Sequence, residues 1–222
     1  MSRLTLTFDN GPEPEVTHDV LDKLARRDIK ATFFCVGRQL ESAEGQAAAA
    51  RAADDGHWLG SHSYTHSVSL GDSDDPNLFD LEVTRAHEAL GELAHPDRLF
   101  RPFCNAGHID QRVFKHEHVG RMEDGGYTCV LFDPVVNDWE DADGWVDRAL
   151  GLVEQRAWTT LVIHDIVGYP PGNIVHGMRN LDSFLDQLDE RGHEIVQEID
   201  PRPEICPLVR GELRSDVGYL CN

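Results

Sequence analysis

Long apolar runs are missing from this 222-residue chain. No stretch approaches the ~20 consecutive apolar residues that a membrane-spanning helix needs, so membrane insertion is not expected. Basic side chains are scarce too: 20 Lys and Arg stand against 40 Asp and Glu, a formal net charge of −20. A surface of that sign repels phosphate backbones and anionic headgroups, which argues against nucleic-acid binding and membrane adsorption. It reads first as a solvated acidic surface, and second as adaptation to a salt-rich environment. CxxC pairs are absent, and the five cysteines (Cys35, Cys104, Cys129, Cys206, Cys221) are odd in number. Free thiols are therefore expected rather than a disulfide framework. Cys35 and Cys129 fall in apolar segments and are expected to be inert core residues. Neither internal repeats nor low-complexity tracts occur. A charged-plus-apolar leader is lacking as well, since the first strand starts within a few residues of Met1, so a cytoplasmic address is expected.

What is present is a regular alternation. Leu4, Leu6 and Phe8 have period-two spacing among threonines and predict a strand that stops at Asp9-Asn10-Gly11-Pro12. Val16, Val20, Leu21 and Leu24 then mark an amphipathic helix opened by Pro14. "KATFFCVG", "GHWLGSH", "RLFRPF", "YTCVLFD", "TTLVIHD" and "HEIVQEI" read as six further strands. Helices are predicted between them: an Ala-rich one near residues 42–54, then residues 76–93, 110–125, one around Trp145 to Val153 and one around Leu181 to Leu188. Strand–helix alternation implies a parallel sheet, and seven repeats suit a closed or nearly closed barrel. An open doubly wound sheet is the competing architecture, disfavoured because no glycine-rich phosphate loop follows the first strand. Residues 1–200 are expected to form one α/β barrel domain. Residues 201–222, proline-rich and without periodicity, are expected to be an irregular extension packed on it.

In such a barrel, polar residues at the C-terminal ends of strands converge on one mouth. Those ends carry Asp9 and Asn10, His62 and His66, Arg101, Asp138 and Trp139, and His164 with Asp165. Each has an ordinary explanation: Asp-Asn-Gly-Pro is turn chemistry, and a histidine pair four apart is easily met by chance among 12. On a helical turn, however, His62 and His66 would share one face and could ligate a divalent metal together.

Taken in order, "TFDNGP", "HSYTH", "FRPF", "NDW" and "LVIHD" resemble the five signature motifs of the polysaccharide deacetylases, the NodB-homology group of carbohydrate esterases. The matched elements span residues 4–165. The resemblance implies a distorted (β/α)7 barrel and removal of an acyl group from an N-acylated sugar. It implies roles as well. Asp9 would be the general base, and Arg101 would hold that base ionised and oriented. His62 and His66 would ligate the metal. His164 would be the general acid, with Asp138 orienting it and Trp139 forming an apolar wall beside it.

Three departures qualify this. Asn10 stands where the family usually has a metal-binding aspartate. A neutral amide oxygen is the poorer zinc ligand, so the implied divalent metal, zinc foremost, should bind weakly. The third motif, usually Arg-x-Pro-Tyr-Gly, continues here as Pro102-Phe103-Cys104-Asn105. Phe103 and Cys104 would then line the substrate site, Cys104 either as a reactive thiol or as a small filler. Phe132 occupies a position where tryptophan is common. The expected activity is hydrolysis of a non-peptide C–N bond in a small or carrier-linked N-acyl sugar. Two alternatives stay open: a metal-independent allantoinase-like amide hydrolase, and a catalytically silent relative that binds a glycan or sugar nucleotide.

Overall fold

The computed structural model describes residues 2–167 and 176–222. All seven expected strands form: β1 (Arg3–Asp9), β2 (Thr32–Cys35), β3 (Trp58–Ser61), β4 (Leu99–Phe100), β5 (Thr128–Cys129), β6 (Trp158–His164) and β7 (Glu194–Val196). They pair in parallel in the order β6-β1-β2-β3-β4-β5, while β7 pairs with the first half of β1. The sheet curls into a distorted barrel with helices outside it: α1 (Pro14–Ala25), α2 (Ala43–Asp54), α3 (Arg85–Leu90), α4 (His116–Asp124), α5 (Trp145–Glu154) and α6 (Leu181–Glu190).

Strand β1 is buried on both faces. Leu4, Leu6 and Phe8 pack with Val16, Val20, Leu21 and Leu24 of α1 and with Phe184 and Leu185 of α6. Its threonines take the other face: Thr5 accepts from the Trp158 indole at 2.8 Å, and Thr7 donates to the Leu161 carbonyl at 2.7 Å. β2 splits similarly, with Phe33 in the layer under the helices and Phe34 in a separate cluster with Leu99, Val130 and Cys206. Helix α2 starts where Ser42 caps it, its hydroxyl accepting from the Gly45 N–H at 3.0 Å.

Four local expectations are corrected. The helix predicted over residues 110–125 forms only as α4. Before it, the Asp110 carboxylate takes both the Arg112 N–H and its guanidinium, and Phe114 pairs its N–H with Leu220 at 2.9 Å instead of continuing a helix. Residues 76–93 do not form one regular helix either: a π turn, Asp80–Thr84, precedes α3. "YTCVLFD" pairs as a strand only at Thr128–Cys129, because the Val130 and Leu131 carbonyls accept from the Arg101 side chain. In the C-terminal segment, β8 (Leu208–Val209) and β9 (Glu212–Leu213) form a hairpin that extends the sheet antiparallel from β5. Its two-residue turn has φ 50° at Arg210 and 80° at Gly211, the twist that joins tight hairpins. Strands this short carry no periodicity to read.

Candidate active site

Register builds the site. In the parallel pairing of β1 with β6, Asp9 lies level with His164. Ser61, the last residue of β3, lies level with Phe100 of β4. The residues that follow these strand ends therefore arrive at one rim, around a cavity of about 350 Å³. Asp9, Asn10, His62, His66, Phe103, Cys104, Phe132, Trp139 and His164 all line it.

Arg101 and Asp9 form its floor. Arg101 is completely buried and Asp9 is 2% exposed. The guanidinium donates to Asp9 Oδ1 at 2.6 Å and to the Thr7 hydroxyl at 2.8 Å, and lies 4.1 Å from the Phe34 ring centre. One Asp9 oxygen is thus tied down, while the other is 3.6 Å from His62 Nε2. On the far side, His164 Nδ1 lies 2.9 Å from Asp138 Oδ1, and its backbone N–H donates to Asp138 Oδ2 at 2.8 Å. The Trp139 ring stands edge-on to the imidazole at 4.8 Å. Burial alone would disfavour protonated His164, but the charge and hydrogen bond of Asp138, joined by Asp9 and Asp165, outweigh it and raise its pKa.

His62 and His66 sit on a loop and not on the expected helical turn: Ser63 and His66 both have φ of 53°. Their rings nevertheless meet, 4.7 Å between centres, with Phe103 edge-on to His66 at 4.5 Å. Burial lowers the pKa of each to about 3, so both are neutral at physiological pH. His62 Nδ1 donates to the Arg101 carbonyl at 2.9 Å, which leaves Nε2 as a lone-pair donor beside Asp9. Cys104 is buried and its thiol is pushed up to about 12, so the reactive-thiol option is withdrawn and it serves as a small apolar wall. Burial also raises the thiol pKa of Cys35 and Cys129 well above the ordinary value.

Comparison with known proteins identifies the family. A family model described as polysaccharide deacetylase matches residues 2–118. The chain belongs to the polysaccharide deacetylase family. It is 27% identical over 198 residues to a peptidoglycan-N-acetylglucosamine deacetylase of Bacillus cereus, a match covering 88% of this chain and 66% of that protein. A chitooligosaccharide deacetylase of Bradyrhizobium is 28% identical over 203 residues, covering 86% of each. Among solved structures, a family 4 acetyl xylan esterase from Clostridium thermocellum in complex with a cobalt ion superposes with a TM-score of 0.69 at 25% identity. That match covers 88% of this chain and 87% of the esterase. The chain thus spans just under two thirds of the length of the Bacillus cereus relative.

Among the described residues, no three His, Cys, Asp or Glu side chains converge as a metal cluster. The donor set here is two imidazoles and an amide. Asn10, held at φ 74°, lines the same cavity, and its Oδ1 is buried without a hydrogen-bond partner. An unpartnered amide oxygen and two neutral imidazoles on the residues of one cavity fit a divalent cation.

The site also uses two motif residues to which the resemblance assigns no role. Thr7 supplies the second acceptor for Arg101 Nη1. Asp165 lies beneath the first motif, so close that a Cβ on Gly11 would come within 2.1 Å of its carboxyl. Any side chain there would have to displace that carboxyl. Asp165 is buried, accepts from the Thr17 hydroxyl at 2.5 Å, and burial raises its pKa to about 7. Its place at the rim, one residue beyond β6, is legible in the sequence; its burial beneath Gly11 is not.

Proposed function

We propose that this protein is an N-deacylase of a small or carrier-linked N-acyl sugar, working by general base and general acid catalysis across the barrel mouth. One observation carries the reading: β1–β6 register sets an Arg101-anchored carboxylate and a histidine of raised pKa level with each other on one cavity. Asp9 takes a proton from water as its oxygen attacks the acyl carbon. Phe103 lines the cavity and its N–H has no partner among the described residues, so it is available to the developing oxyanion. His164, whose Nδ1 faces Asp138, presents Nε2 for protonation of the departing amine nitrogen. The C–N bond breaks, and a carboxylic acid and a free amine leave. Phe132, Val135, Val162 and Ile166 give the cavity apolar walls suited to an acyl group. His62, His66 and Asn10 would hold a divalent cation, zinc foremost, which when bound polarises the acyl carbonyl.

The relatives' named substrates differ (peptidoglycan, chitooligosaccharide, acetyl xylan), so the shared chemistry supports deacylation of a carbohydrate more strongly than any one polymer. Five free, buried cysteines support a cytoplasmic address and hence a small substrate. No helix among the described residues is long and apolar enough to cross a membrane.

The test is acetate or formate release from a panel of N-acyl sugars by wild type and Asp9→Asn. Asp9→Asn should fold yet lose about 10²–10⁴-fold in rate; wild-type rates in the folded variant would defeat the mechanism. Asn10, an amide rather than a carboxylate, also favours a second reading, metal-independent hydrolysis of a ring amide. Turnover of ring amides with no release from acyl sugars would select it.

A further inference from the structure

His62 and His66 reach one another from a loop, and the loop is held from beneath by a residue that none of the sequence motifs contains. Its outward carbonyls are taken by the segment after β2. Gly37 and Arg38 donate their N–H groups to the Ser63 and Tyr64 carbonyls at 3.0 and 2.9 Å, and the Arg38 guanidinium donates to the Thr65 carbonyl at 2.5 Å. Its inward donors go elsewhere. The Tyr64 and Thr65 N–H groups both donate to Glu82 Oε2 at 2.9 Å, and the Thr65 hydroxyl donates to Oε1 at 2.5 Å. That hydroxyl lies 2.5 Å from Ser67 Oγ, which is placed to donate to it.

Glu82 is 1% exposed and forms no salt bridge among the described residues. A buried carboxylate is costly unless its oxygens are satisfied, and here the three donors all come from the histidine loop. The acid sits in the π turn ahead of α3, where the Arg85 N–H reaches back to the Asp80 carbonyl. Such turns insert an extra residue into a helix and recur near functional sites. The loop that Glu82 grips also contains two left-handed residues, Ser63 and His66. Non-glycine residues adopt that conformation only when their surroundings impose it.

We propose that Glu82 is the positioning residue of the histidine pair: by clamping the 64–65 peptide it sets the separation of the His62 and His66 imidazoles and thereby the affinity of the site for a divalent cation. This rests on the cation site proposed above. Glu82 touches neither substrate nor cation. It acts through two backbone N–H groups and one hydroxyl.

The test is a Co²⁺ titration of the full chain by calorimetry and visible absorption, with thermal unfolding of the metal-free protein alongside. Wild type should bind, and His62→Ala should abolish binding. Glu82→Gln places an amide NH₂ among three donors and should weaken Co²⁺ about 10–100-fold, the usual cost of losing a group that orients a ligand, with an altered absorption band. Thr65→Val removes the hydroxyl alone and should give a smaller loss in the same direction. It also covers the case in which Glu82→Gln does not fold. Glu82→Asp, charged but shorter, should fall between Glu82→Gln and wild type. If Glu82→Gln and Thr65→Val melt earlier but bind Co²⁺ like wild type, the positioning role is refuted while the cation site stands. If wild type itself shows no His62-dependent binding, both fall.

Discussion

Replacing Arg101 with methionine tests the floor of the site. The side chain keeps its apolar stem but loses the guanidinium and with it every hydrogen bond. The fully buried guanidinium donates to Asp9 at 2.6 Å, to Thr7 at 2.8 Å, and to the Val130 and Leu131 carbonyls at 3.0 and 3.2 Å. Removing one partner of a buried ion pair costs about 3–5 kcal/mol, because the other charge is left uncompensated. Each carbonyl left without a donor adds roughly 1–3 kcal/mol unless water reaches it. A loss of at least about 4 kcal/mol is therefore expected, a large share of the 5–15 kcal/mol typical of a domain. Much of it should come from stranding Asp9, so adding Asp9→Asn should recover about 2–3 kcal/mol. The assay is urea unfolding of wild type, both single variants and the double variant. Should Arg101→Met fail to fold, Arg101→Lys, which keeps the charge but not the planar fork, should fold with an intermediate loss. Strict additivity, with coupling below about 0.5 kcal/mol, would refute Arg101–Asp9 as the pair that organises the floor.

Other outcomes follow from the same geometry. The raised pKa of His164 keeps it protonated above its ordinary value of 6.5, so the alkaline limb of the rate profile should lie above that pH. Asp138→Asn removes the charge that raises it, and the limb should move to lower pH; an unmoved limb would exclude His164 as the titrating acid. Asn10→Asp adds a charged oxygen to two imidazoles and should tighten divalent binding, measured as metal content and activity before and after chelation. No gain in affinity would mean that Asn10 does not face the histidines. Asp165, with a pKa raised to about 7 from 3.8, binds a proton more tightly folded than unfolded. The wild type should therefore lose stability as pH rises between those values, relative to Asp165→Asn, by on the order of 4 kcal/mol. Parallel stability–pH curves for the two proteins would show that Asp165 is not buried as a neutral acid.

Much of the architecture is written in local pattern. Leu4, Leu6 and Phe8 in a strand, Val16, Val20 and Leu24 on a helix stripe, and Pro14 at a helix start depend on neighbours a few residues away, where periodicity and propensity act. The turn chemistry after Asp9 and the polar residues at successive strand ends are legible for the same reason, and in a parallel barrel they must share a rim. Residue type alone carries the chemistry of Asp9, His62, His164 and Arg101. Glu82 left a local trace as well: it falls on the stripe Leu78, Glu82, Ala86, Leu90, a carboxylate among apolar residues spaced four apart.

What that carboxylate grips, eighteen residues back in the chain, no helical period can state. Tertiary structure decided this, as it decided that His62 and His66 meet through a left-handed loop instead of a helical turn. It also stopped β5 early, since the carbonyls that would have continued the ladder were taken by the arginine that follows β4. The reason is common to all three. Buried donors and acceptors must be satisfied by whatever the fold brings near, and proximity across the barrel is set by strand register, which joins Asp9 to His164 over a sequence distance that no local signal spans.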